Sequence, residues 1–319
     1  MGRQSSIITI GLSPAWDITC WGRNLDWYLH QYVDEQIVHP AGKALNVSKA
    51  LAWMGQKNIA AGLWGRDDHQ QMVTAVQRIW PLITLKMTTV PGGTRQNVTV
   101  VDTATNKDMH LRNRSRLASM KTIRRLRTDL ASIVRRGSIC VFAGTMPDGA
   151  LLGDVVRLVE FCRDRGAKIV LDTSGEALRQ ILDTGAASLI KPNVEELREL
   201  LGEPIKDGPV SLARAGRKLI GKVQVLLISR GAKGSVAVTK DGAWQAQCLG
   251  RRNLMSTVGC GDSLLAGFLK EMVDKSDIVT ALETATKVAT AKAWGWMENK
   301  TWLQIEPQIR IRAATLDSY

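Results

Sequence analysis

An α/β layer fold with a largely parallel sheet is predicted by two features of this chain. Short apolar, strand-like runs alternate with helix-periodic segments over most of its length, and several of those runs end in glycine or polar residues of the kind that face ligands at the carboxyl edge of such a sheet. The strands expected, in order, are Ile7–Ile10, Ser138–Phe142, Lys168–Asp172, Ser188–Ile190, Val225–Ser229 and Ser235–Val238, each rich in Val, Ile or Leu. Helices are expected over Ala44–Met54, Asp154–Arg165, Val194–Leu201 and Leu212–Ile220. A further helix follows a Gly-x-Gly turn: Leu264, Leu265, Phe268, Leu269 and Met272 recur at three- and four-residue spacing, which sets its start at Gly261 or Asp262. The strand ends of interest are Gly144-Thr145-Met146-Pro147, Asp172-Thr173-Ser174, Lys191-Pro192-Asn193 and Arg230-Gly231. Two stretches, roughly Trp16–Pro40 and Pro91–Leu111, break the alternation and read as a small separate sheet inserted into the larger body, placed to close over a substrate and exclude water.

With 319 residues, 45% of them hydrophobic, the chain can bury an ample core, and neither a repeat nor a low-complexity linker divides it. Cys20, Cys140, Cys162, Cys248 and Cys260 are scattered without a C-x-x-C pair, which points to reduced thiols and a cytoplasmic setting. His30, His39, His69 and His110 lack metal-ligand spacing and read as surface or loop residues. No apolar stretch reaches membrane-spanning length, so a soluble protein is expected. Met1-Gly2 with Ser6 matches a loose acylation pattern, but a core strand begins at once behind it. The net charge of +13 suits either nucleic acid or small anionic substrates. Its densest part, Arg112 to Arg136, interleaves basic residues with Leu117, Ile123, Leu126, Leu130, Ile133 and Val134, as an amphipathic helix with a solvated basic face would. No aromatic residue lies there to stack a base, so nucleic acid is disfavoured.

The chemistry concentrates in Thr257-Val258-Gly259-Cys260-Gly261-Asp262. Gly259 and Gly261 let backbone approach a ligand, the free amides of the first helical turn favour an anion, and Asp262 sets a carboxylate beside them. Phosphoryl transfer needs that pairing of an anion hole with a base, although an aspartate that only caps a core helix fits the spacing equally well. Elsewhere, Asp17 offers hydrogen-bond acceptors to hydroxyl groups, Gly42-Lys43-Ala44-Leu45-Asn46 joins a tight turn to a cation and an amide, and Arg95 carries a fork suited to phosphate.

Taken together these blocks resemble the phosphofructokinase B family of sugar kinases, of ribokinase-like fold. The resemblance is carried by Ser13-Pro14-Ala15-Trp16-Asp17, Ala41-Gly42-Lys43-Ala44-Leu45-Asn46-Val47, Thr94-Arg95-Gln96-Asn97, Ala143-Gly144-Thr145-Met146-Pro147, Leu171-Asp172-Thr173-Ser174-Gly175-Glu176-Ala177-Leu178, Ile190-Lys191-Pro192-Asn193-Val194-Glu195-Glu196-Leu197, Ser229 to Gly234, and Thr257 to Asp262. The third quarter of the chain looks most like the branch with 1-phosphofructokinase and tagatose-6-phosphate kinase.

The resemblance implies one kinase domain over residues 1–319, a three-layer sandwich with a mostly parallel central sheet and a small β-sheet lid from about 16–40 and 91–111. It implies ATP and Mg²⁺, a phosphosugar substrate, Asp262 as base, and Gly259, Cys260 and Gly261 as the anion hole. Asp17, Gly42, Lys43, Asn46, Arg95 and Gly144 fall at substrate positions, while Lys191, Asn193, Ser229, Gly231 and Gly234 fall on the nucleotide side. Glu196 matches the carboxylate that organises Mg²⁺ through water. A monovalent cation and a homodimer formed through the lid are left open. Three departures stand out: Ala41 and Ala44 where the branch has glycines, Ser256 where relatives have Asp or Asn, and Cys260 for the usual alanine, a thiol expected to bring oxidant sensitivity. The acceptor expected is fructose 1-phosphate, with tagatose 6-phosphate, fructose 6-phosphate or an unphosphorylated sugar or nucleoside as alternatives. A catalytically silent sugar sensor or nucleic-acid-associated protein is the non-enzyme alternative.

Overall fold

The computed structural model describes residues 6–105, 107–250 and 252–316; the Met1-Gly2 pattern lies outside them. Strand β1 (Ile7–Gly11) decides the layering, because its side chains alternate between two apolar clusters: Ile8 and Ile10 face one, Ile7 the other. A strand covered on both faces has no polar side, and this one is apolar but for Thr9, whose buried hydroxyl pairs with that of Ser48 at 2.7 Å.

The chain continues through β2 (Ala15–Gly22), β3 (Glu35–Ala41), α1 (Lys43–Trp53), β4 (Asn58–Gly65), α2 (His69–Ile79), β5 (Ile83–Val90), β6 (Gln96–Asp102) and β7 (Lys107–Arg112). Then come α3 (Met120–Ala131), β8 (Ile139–Ala143), α4 (Leu152–Asp164), β9 (Lys168–Asp172), α5 (Gly175–Asp183), β10 (Ala187–Ile190), α6 (Val194–Leu201) and α7 (Pro209–Arg217). Strands β11 (Val225–Ser229), β12 (Ser235–Thr239) and β13 (Gly242–Cys248) lead to α8 (Cys260–Asp274), α9 (Ile278–Ala293), α10 (Trp302–Ile305) and β14 (Ile311–Leu316).

Ten strands form the main sheet in the order β14-β13-β12-β11-β10-β9-β8-β1-β4-β5. From β5 to β11 every pairing is parallel, whereas β11 to β14 pair antiparallel. The reversal at β12 follows from chain length, since Arg230–Gly234 is too short to carry a crossover and can only turn back. Side chains from α3 to α7, such as Leu126, Leu158, Ile181, Leu197 and Leu212, cover one face; α1, α8, α9 and α10 cover the other with Leu51, Leu265, Val288 and Trp302. Helices α8 and α9 touch at Gly267, where a Cβ would lie 2.7 Å from the Cα of Ala285.

Strands β3-β2-β6-β7 make the small separate sheet expected from the two irregular stretches. It adjoins the main body through Trp16, which packs with Trp64, Met72 and Val76. Six tryptophans sit in three edge-to-face pairs, Trp16–Trp64, Trp53–Trp302 and Trp294–Trp296, so much of the tryptophan content is spent on packing. The basic stretch is shorter as a helix than expected: α3 spans Met120–Ala131 behind a Ser119 capping box, and Arg112 ends a strand. Its buried face is Ile123, Leu126 and Leu130, with Arg124, Arg125 and Arg127 exposed. Strand β4, helices α2, α5 and α9, and strands β5, β13 and β14 were not expected from the sequence.

Candidate active site

Gly42, at φ 119°, turns the end of β3 into α1, so Lys43 and Asn46 project from one face of that helix's first turn. Gly259, at φ 77°, performs the same service for α8, which begins at Cys260, one or two residues before the periodicity placed it. Asp262 lies in the first turn and is 5% exposed, and its side chain caps nothing in its own helix. Instead its Oδ2 accepts from Asn46 Nδ2 at 2.9 Å, which joins α1 to α8.

Burial pushes the Asp262 carboxyl up to about 6, and the nearby Asp172 charge pushes the same way, against the Asn46 hydrogen bond and the Lys43 and Lys191 charges. Asp172 closes β9 and is 1% exposed. Its Oδ1 lies 3.2 Å from Lys43 Nζ and 3.3 Å from Lys191 Nζ, while its buried Oδ2 has no hydrogen-bond partner. Burial lowers the Lys43 ammonium, but Asp172, Asp262 and Glu196 outweigh that and raise it. Two carboxylates and two ammonium groups thus balance at the strand ends. Asp172 is a site residue that the sequence does not reveal: it reads as a strand terminus, and no spacing shows two lysines converging on it.

Gly144, at φ 101°, sits against Lys43, with 3.7 Å between its would-be Cβ and the lysine Cβ. A Cβ on Gly261 would lie 3.3 Å from Lys191 Nζ, so Lys191 stands at the glycine turn itself. Asp17 accepts from Asn97 Nδ2 at 2.8 Å on the small sheet. Arg95 is more committed than expected: Nε and the two terminal nitrogens donate to the carbonyls of Pro14, Ser13 and Asn113 at 3.2, 3.0 and 2.7 Å. Its guanidinium is first a strut, with two of its five N–H groups left over. Lys49 was not singled out either; burial pushes it down to about 8, and it donates to the Pro40 carbonyl at the end of β3 at 2.5 Å.

Asn193 and Glu196 form a reciprocal capping box on α6, with both bonds at 2.8 Å. The spacing that suggested a metal element therefore has a local structural role as well. Among the described residues no group of three His, Cys, Asp or Glu side chains converges as a metal cage. The orphaned Oδ2 of Asp172 and the Glu196 carboxylate are hard oxygen donors of the kind a Mg²⁺ ion would take. Ser229 accepts no new role from its side chain; its amide bonds the Pro192 carbonyl at 3.0 Å, which ties β11 to the Asn193 turn. Gly231 (φ 56°) and Gly234 (φ 90°) bound the next turn, and at Gly234 a Cβ would lie 2.0 Å from the Ala246 carbonyl oxygen, so the fold itself requires glycine there. The expected oxidant sensitivity of Cys260 is not supported: burial pushes its thiol up to about 11, so it is protonated at neutral pH. All five cysteines are free, and no described helix is long and apolar enough to cross a membrane.

The chain is similar to several known proteins. A 1-phosphofructokinase of Haemophilus influenzae is 28% identical over 270 residues, covering 83% of this chain and 84% of that protein. A 1-phosphofructokinase of Xanthomonas campestris pv. campestris is 27% identical, covering 97% and 96%. Among solved structures, phosphofructokinase-2 from Escherichia coli in complex with fructose-6-phosphate superposes with a TM-score of 0.83 at 21% identity, covering 92% of this chain and all of that one. Residues 8–293 match the family described as pfkB family carbohydrate kinase, and with nine-tenths of its length matched the chain belongs to that family of sugar kinases.

Proposed function

We propose that the chain transfers the γ-phosphoryl group of ATP to the free primary hydroxyl of a ketohexose phosphate, fructose 1-phosphate first, giving fructose 1,6-bisphosphate. The observation that carries this reading is the Asp262 carboxyl, held at about 6 at the start of α8 and hydrogen-bonded to Asn46. A base with that affinity takes a proton at neutral pH yet is itself mostly ionised beforehand. The hydroxyl proton passes to Asp262, the freed oxygen forms its bond to the γ-phosphorus in line, and the bond to ADP breaks. The amides of Gly259, Cys260 and Gly261 receive the moving phosphoryl oxygens, with Lys191 beside them.

On the acceptor side, Asp17, Gly42, Asn46 and Gly144 meet the sugar hydroxyls, and Lys43 with the two remaining N–H groups of Arg95 meets the phosphate already present. On the nucleotide side stand Lys191, Asn193, Ser229, Gly231 and Gly234. Glu196 would hold Mg²⁺ through water, and the ion would supply neutralisation of phosphate charge. The small sheet is the lid, and its exposed Ile37, Val38, Met109 and Leu111 support a homodimer formed through it.

A coupled ATP assay over fructose 1-phosphate, tagatose 6-phosphate, fructose 6-phosphate, fructose and adenosine, with and without potassium, tests the reading. The highest kcat/KM is expected for fructose 1-phosphate. A preference for fructose or adenosine would overturn the phosphosugar assignment.

A further inference from the structure

We propose that Asp68 is a positioning residue for the acceptor side of the site. One carboxylate holds the segment bearing Asp17 and the segment bearing Arg95 in a fixed relation. The inference rests on the acceptor roles given above to those two residues.

Asp68 stands at the N-cap of α2, where an aspartate ordinarily accepts from the next turn's amides, yet its side chain caps nothing in that helix. Both oxygens are spent elsewhere. Oδ2 accepts from the indole Nε1 of Trp16 and, at 3.0 Å, from that of Trp64; Oδ1 accepts from the Thr94 amide at 2.8 Å. Trp16 and Thr94 are the immediate neighbours of Asp17 and Arg95. Further bonds close the same knot: the Trp16 amide donates to the Arg95 carbonyl at 2.8 Å, and the Gly65 amide to Thr94 Oγ1 at 3.0 Å.

Little in this knot can shift. Trp16, Trp64 and Thr94 are all buried, and the two indoles meet edge to face at 5.9 Å. A Cβ on Gly65 would lie 2.5 Å from both the Gly92 carbonyl oxygen and the Thr94 nitrogen, so the two backbones already touch. A helix cap replaceable by Asn would need one acceptor atom; here both oxygens face N–H donors. Asn at this position sets its NH₂ against an N–H whichever way it is flipped.

Steady-state kinetics on purified Asp68→Asn, with the acceptor chosen by the panel above, test this. Acceptor KM should rise about tenfold, the loss of one charge-assisted hydrogen bond, while ATP KM stays within about twofold. Trp16→Phe keeps an aromatic ring at this buried position while removing one donor and part of the indole, so it should raise acceptor KM to a smaller extent, again without touching ATP KM. Asp17→Asn and Arg95→Lys run alongside. If those two raise acceptor KM and neither Asp68→Asn nor Trp16→Phe does, the positioning role is wrong. Unchanged acceptor KM in Asp17→Asn and Arg95→Lys would instead overturn the reading of the site on which it rests. Equal rises in ATP and acceptor KM would show Asp68 to be merely structural.

Discussion

Asn46 Nδ2 lies 2.9 Å from Asp262 Oδ2, a contact between residues 216 positions apart that brings the first turn of α1 to the first turn of α8. Neither helix start is closed by a side chain of its own, and each is entered through a glycine at positive φ. No side chain therefore covers the amides of either first turn, and among those of α8 the Cys260 amide makes only a long 3.4 Å bond to the Thr257 carbonyl.

That contact and the Asp172 charge act on Asp262 in opposite directions, which fixes the pH behaviour. The base works when deprotonated, so kcat/KM should fall on the acid side through an apparent pKa near 6. Asn46→Ala removes a bond that favours the ionised form and should move this limb to higher pH. Asp172→Asn removes a like charge and frees two ammonium groups, so it should move the limb lower. pH–rate profiles of the three proteins check both shifts.

Glu196 and Asn193 can be separated by one substitution that keeps the capping box and one that breaks it. Glu196→Gln still accepts from the Asn193 amide, so stability should hold within about 0.5 kcal/mol while the Mg²⁺ concentration for half-maximal rate rises severalfold. Asn193→Ala loses the cap and should cost about 1 kcal/mol. Thermal melts and Mg²⁺ titrations distinguish the two.

Cys260 should react slowly. Its thiol, pushed up to about 11, donates to the Ser256 carbonyl at 3.5 Å, so alkylation by iodoacetamide at pH 7.5 should lag well behind a free thiol. Cys260→Ala should keep kcat within about twofold. Mass spectrometry of the alkylated chain reads out the first point and initial rates the second.

The parts of this fold that were legible are those where a local rule and the tertiary structure agree. Ile7–Ile10, Ile169–Leu171 and Val225–Ile228 are buried or nearly so and show it as runs of Ile, Leu and Val broken only by Thr9. Helix α9, Ile278–Ala293, was missed because its buried face is largely Ala and Thr, which give little periodic contrast, and β14 because five of its six residues are half-buried or exposed. In the site, Gly259, Gly261 and Asp262 were legible because glycine and carboxylate chemistry is local. The convergence of Lys43 and Lys191 on Asp172, the capture of Arg95 by three carbonyls and the Asp68 knot depend on chain crossings that no spacing encodes.

Turnover of Asp262→Asn tests the account most directly. Asn keeps the shape and removes the base, so kcat should fall about 10³-fold while acceptor binding, followed by calorimetry, changes no more than about threefold. The raised carboxyl favours folding at low pH and opposes it as pH rises through about 6, so the variant should also melt higher at pH 7, by a stability gain of roughly 3 kcal/mol at most. Near-normal kcat in a folded Asp262→Asn protein would contradict the assignment of Asp262 as the base.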